Sequence, residues 1–160
     1  MSETPDDEGA EQALTPALMA RLWRDVKAEK EAPEEALAAF QKFMLLHEDM
    51  HAVWDRLLVD PATSLEMDGE NLMLHIAMDA ASEKSLMKNE PMGIQAVFAA
   101  LVAGGFDEGR AFHVIQQAMM HEFLTAASQN QEMSMDGFLT RAREYGRQAI
   151  DQESSGSSGG

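Results

Sequence analysis

Apolar residues recur along this chain at steps of three and four, and nowhere do β-branched residues alternate at a two-residue spacing, so the pattern predicts helices throughout. Thr15-Pro16 opens the first: Thr offers an oxygen to the exposed amides, and Pro fills the first helical position, where no amide hydrogen is missed. Leu18, Met19, Leu22, Trp23 and Val26 form its apolar face. Pro33 with Glu34 and Glu35 starts a second helix, its carboxylates at the positive end of the dipole. Leu37, Phe40, Met44, His47, His51 and Trp54 continue one inward stripe until Asp60-Pro61 ends it. Residues 62–69 read as a connector.

A third helix runs from Asn71 to about Lys88 with Leu72, His75, Ile76, Asp79 and Leu86 on it. A fourth follows Pro91 with Ile94, Val97, Phe98 and Leu101, and stops at Gly104-Gly105. Asp107 caps a fifth carrying Phe112, His113, Gln117, Met120, His121 and Leu124, and Asp136 caps a short sixth with Phe138, Leu139, Ala142 and Tyr145. The expected architecture is an all-α, single-domain helical bundle of five to six helices over residues 14–150. Residues 1–13 read as a disordered acidic arm, with Glu3, Asp6, Asp7, Glu8 and Glu11 beside Pro5 and Gly9, and 151–160, with their Ser-Gly run, as a flexible tail.

Charge narrows the partners. Asp and Glu number 28 against 12 Lys and Arg, a formal charge of -16, and no basic stripe relieves it. Such a field repels phosphate backbones and anionic lipid surfaces, so neither nucleic acid nor membrane is expected as a partner. The absence of cysteine removes disulfides, thiolate metal sites and thiol nucleophiles, and fits a reducing cytoplasm. The first residues are acidic and polar, unlike a secretory signal, and no apolar run reaches bilayer length; a soluble cytoplasmic protein is expected.

The candidate chemistry sits in the five histidines, all on predicted helices. His47 and His51 are four apart, His75 is four before Asp79, and His113 is followed at steps of four by Gln117 and His121. A step of four turns a helical side chain by only about 40°, so each set shares one helix face. Imidazoles and carboxylates spaced this way on facing helices are how bundles build metal centres. The candidate ligands are His47, His51, His75, Asp79, His113 and His121, with Glu122 as a further carboxylate, and the candidate ions are zinc, iron or manganese.

The same features bring a resemblance. The Trp23-Arg24 pair after an apolar stretch, the His47-Glu48-Asp49-Met50-His51 segment, Asn71-Leu72-Met73-Leu74-His75, Gly93-Ile94 and His113 follow one another in an order similar to that of the bacterial domain-of-unknown-function 1841 family, over about Met19 to Tyr145. The family pattern has a second His one turn after the position of His75 and another one turn after that of His113, where this chain has Asp79 and Gln117. It also has Pro after the position of His47, where this chain has Glu48. The resemblance supports the helical fold and carries no activity with it.

Other readings of the same residues stand beside the metal one. The histidines can instead form a buried hydrogen-bond network with Asp79, Gln117, Glu48 or backbone carbonyls that fixes helix register, in a non-enzymatic interaction module. A catalytic reading would use His51 with Asp55, or His75 with Asp79 near Ser82 and Ser85, but no strained-turn serine and no glycine-rich phosphate loop accompanies them. Thirteen methionines supply adaptable apolar surface, and Met119 and Met120, adjacent on one helix, cannot face the same way, so one of them is expected on the surface or at a contact with a second copy in a homodimer or with another protein partner.

Overall fold

The computed structural model describes residues 14–159, which form seven α-helices, a 3-10 turn and a two-stranded sheet. In chain order these are α1 (Pro16–Lys27), α2 (Glu35–Leu46), the 3-10 turn (Glu48–Met50), α3 (His51–Val59), β1 (Glu66–Met67), β2 (Glu70–Asn71), α4 (Leu72–Lys88), α5 (Ile94–Ala103), α6 (Glu108–Ser128) and α7 (Met135–Gly159). The all-α expectation holds. The acidic arm expected over residues 1–13 lies outside the described residues. No helix among the described residues is long and apolar enough to cross a membrane. Two compact units meet after Ala77, inside α4.

In the first unit α1 packs on α2 and α3. Thr15 caps α1 as its sequence predicts, its Oγ1 accepting from Leu18 N at 3.1 Å. Leu18, Met19, Leu22 and Trp23 are buried along α1, and Met44, Val53, Trp54 and Leu57 along α2 and α3. Gln41, also buried, holds the loop after α1: its Oε1 accepts from Ala32 N at 2.8 Å and its Nε2 donates to Lys30 O at 3.2 Å. Trp23 Nε1 donates to Asp55 Oδ1 at 2.8 Å, and Lys27 Nζ reaches the same oxygen at 2.8 Å. The Lys27 hydrogen bond, then that of Trp23, holds the Asp55 carboxyl below its usual range.

The unbroken apolar stripe from Pro33 to Asp60 predicts one helix, and the chain does not form it. α2 ends at Leu46; His47, at φ -89 and ψ 81, is not helical, and α3 restarts at His51 after the 3-10 turn. His51 supplies the compensation, because its Nε2 lies 3.1 Å from Met44 O and 3.0 Å from Leu45 O, two carbonyls near the end of α2. Carbonyls at a helix end have no intrahelical partner, so the imidazole N–H satisfies groups that an unbroken helix would satisfy itself. Glu48 and Asp49 lie in the first turn of the new segment, where the dipole favours acids.

A hairpin occupies part of the expected connector. β1 and β2 pair antiparallel, Glu66 opposite Asn71 and Met67 opposite Glu70. Asp68 and Gly69 turn between them with φ of 55° and 80°, the positive angles that a two-residue hairpin loop requires of both central residues. Asn71 Oδ1 then accepts from Leu74 N at 3.1 Å and caps α4.

In the second unit α7 packs along α6 and α5. Asp107 caps α6 as predicted, its Oδ1 accepting from Arg110 N at 2.8 Å. The cap of α7 is Ser134, whose Oγ accepts from Gly137 N at 3.0 Å, so Asp136 stands in the first turn instead. Far from short, α7 keeps helical backbone through the Ser-Gly run to Gly159. Nothing in the sequence after Ser134 is proline, and Ile150 and Glu153 are engaged, the first beside Gly104 and the second with Arg110 at 2.9 Å. Met119 and Met120 are both buried, because the buried positions of α6 extend around more than one side of the helix; the surface methionine expected of this pair is absent.

Candidate metal centre

His47 stands where the chain leaves α2, and His75 one turn into α4. Their rings approach edge to face, centroids 4.9 Å apart with an interplanar angle of 80°. Asp79 follows His75 by one turn on the same helix and is only 3% exposed, whereas both imidazoles are half-buried. One ligand atom from each of His47, His75 and Asp79 can be chosen so that all three lie within 4.8 Å of one another. Ligands at about 2.1 Å from a tetrahedral ion are about 3.4 Å apart, so coordination asks the set to draw in by about an ångström.

The hairpin contributes a residue that periodicity did not single out. Glu70 Oε2 lies 2.7 Å from His75 Nδ1. A carboxylate there draws the ring proton to Nδ1 and makes Nε2 the unprotonated nitrogen, the arrangement in which a histidine usually ligates a metal. The Asp68-Gly69 dipeptide was the available signal, since a two-residue turn sets Glu70 directly before the capped start of α4. Farther along the same helix face, Ser82 is fully buried, and its Oγ finds no hydrogen-bond partner among the described residues.

The remaining predicted ligands are placed elsewhere. His51 commits Nε2 to the Met44 and Leu45 carbonyls and sets its ring, tilted by 46°, with its centroid 4.8 Å from that of Trp23. Asp55 Oδ1 accepts from Trp23 and Lys27, and no hydrogen bond joins Asp55 to His51, the pair considered for catalysis, among the described residues. His113 and Gln117 are exposed on α6, and so is His121, whose Nδ1 pairs with Tyr145 OH at 2.8 Å. Glu122 accepts from Arg141 Nε at 2.8 Å, and that bond, followed by one to Tyr145, raises the Arg141 pKa. The stripe His113–Gln117–His121 shares a face as predicted, but the face is turned to solvent.

Two imidazoles and a buried carboxylate on a helical scaffold define a class, that of all-helical proteins with a polar centre of metal-ligand composition. Residues 11–144 match the family model described as "Domain of unknown function (DUF1841)", and the chain belongs to that family. No curated protein and no solved structure gives a significant match.

Proposed function

We propose that this protein binds one divalent transition metal, zinc, iron or manganese, through His47, His75 and Asp79. The observation that carries the reading is the approach of three ligand atoms from two imidazoles and one carboxylate to within 4.8 Å. Glu70 on His75 Nδ1 supports it, since that contact orients a histidine for coordination. Three protein ligands leave at least one coordination position for water or substrate, the composition of a working centre and not of a closed structural one. The orphaned Ser82 hydroxyl, on the face that carries Asp79, is the kind of group that an ordered water on such a position would satisfy.

The test is metal content of untagged protein, with melting curves before and after chelation. An ion held at a hundredfold excess over its Kd adds about 2.7 kcal/mol, which for a chain of this size raises Tm by about 5–10 °C. Failure of zinc, iron(II) and manganese(II) alike to bind or to raise Tm would overturn the reading. That result would favour the second one, an interaction module with structural histidines, for which the bonds of His51 to carbonyls and of His121 to Tyr145 are the specific observations. His75→Ala separates the two further: in the metal reading it abolishes the chelator-dependent shift, and in the other it lowers stability by about 1 kcal/mol.

A further inference from the structure

Between α5 and α7 lies a groove of about 410 Å³, lined by neither a histidine nor a residue of the proposed metal centre. Ala96, Val97 and Ala100 floor it from one helix and Gly146 and Ile150 from the other. The two helices close on each other at Gly146, where an added Cβ would already touch Val97 Cγ1 at 3.4 Å, and the small residues beside this contact leave the groove unfilled. Arg143 and Arg147 also line it. Both are exposed, and neither makes an ion pair or side-chain hydrogen bond with a described residue, although acids outnumber bases more than twofold in the chain. Arg110 and Arg141, by contrast, are each paired with a glutamate.

We infer that this groove binds an unbranched aliphatic monocarboxylate of about eight carbons. From Gly93 to Ala100 the floor runs about 10 Å at the rise of a helix, which an extended alkyl chain covers with about eight carbons at about 1.3 Å each. The floor offers methyl and methylene groups and no hydrogen-bonding side chain, so it suits a hydrocarbon tail and not a sugar or a base. Arg143 and Arg147 offer planar guanidinium groups that match a carboxylate head through paired hydrogen bonds. Asp151 lies two turns beyond Arg143 at the opposite end, where it repels a second anionic group, and the ligand is therefore a monoacid.

Calorimetric titration of the full chain with octanoate tests this, with octylamine, octanol and octanedioate as comparisons. Octanoate is expected to bind saturably at one site, and octylamine and octanedioate at least about tenfold more weakly, the ratio that a charge-assisted hydrogen bond supplies. The R143Q/R147Q variant weakens octanoate about tenfold and leaves octanol unchanged. A100W, at an exposed position where bulk fills the groove without entering the core, removes both ligands while the melting curve stays that of the parent. Equal affinity for octanoate and octylamine would reduce the site to a greasy patch and overturn the inference. Absence of saturable octanoate binding, or octanoate binding unaltered in R143Q/R147Q, overturns it as well.

Discussion

Replacing Glu70 tests the centre without touching a ligand. Its Oε2 lies 2.7 Å from His75 Nδ1, and at 46% side-chain exposure it is half in water, while the His75 side chain is 14% exposed. Removing a carboxylate behind a ligating histidine costs 10–100-fold in metal affinity, and a half-solvated one belongs near the low end, so Glu70→Ala should weaken binding about tenfold. Glu70→Gln keeps an oxygen that can accept from Nδ1 and loses only the charge, and should fall between parent and Glu70→Ala. Without metal the contact is one half-exposed hydrogen bond, and its loss should cost about 1 kcal/mol or less. Competition against a chromophoric chelator at fixed pH measures the first quantity, and urea unfolding of the metal-free proteins the second. A Glu70→Ala protein that is folded and binds metal as tightly as the parent would refute the role given to Glu70.

Three further outcomes follow from local geometry. Gly137→Ala would set a Cβ 2.5 Å from Glu122 Oε2 and displace a carboxylate that Arg141 holds at 2.8 Å. Losing a charged hydrogen bond of about 1.5–3 kcal/mol outweighs a helix-propensity gain of about 1 kcal/mol, so urea unfolding should show net destabilisation of about 1 kcal/mol, and its sign should reverse in an Glu122→Ala background. Asp55 is held below its usual pKa by Lys27 and then Trp23, so its contribution is present above about pH 3.9 and is lost as pH falls through its lowered folded value. Asp55→Asn should therefore lower the urea midpoint at pH 7, more at low salt than at high, and the gap to the parent should close in acid; a gap that persists unchanged at pH 2 would contradict this. Glu48→Pro should fold with its stability in urea unfolding unchanged or raised by up to about 1 kcal/mol, because position 48 begins a helical turn and its predecessor His47 is already non-helical.

What the sequence disclosed was local. Thr15, Asp107 and Gly104 act on amides and carbonyls within one turn of themselves, so their residue types announce the starts of α1 and α6 and the end of α5. The break at His47 carries no Pro or Gly, and it is sustained by the reach of His51 back to two carbonyls, which spacing cannot reveal. Periodicity placed His113, Gln117 and His121 on one face of α6, but only the neighbouring elements decide which face is buried, and they cover Ala111, Ile115, Ala118, Met119 and Glu122. Of the candidate ligands, His75 and Asp79 were joined by helical spacing alone, whereas the arrival of His47 needed the tertiary fold.

The broken helix bears directly on the chemistry. In an unbroken α2, His47 and His51 would share a face one turn apart, and both could ligate from the same side. The break removes His51, which spends its Nε2 on the Met44 and Leu45 carbonyls, and leaves His47 as the one residue of this segment in the proposed ligand set. Were position 79 a histidine, a divalent ion held by three neutral imidazoles would keep a charge of +2 within partly buried surroundings. In the proposed centre the carboxylate of Asp79, 3% exposed, would reduce that charge to +1, which lowers the cost of burying the ion. It also exchanges a nitrogen for a hard oxygen, which moves the preference away from copper toward iron, manganese or zinc. Asp79→His is thus expected to retain metal binding while shifting selectivity toward copper, and unchanged relative affinities for copper and manganese would show that Asp79 does not bond to the ion.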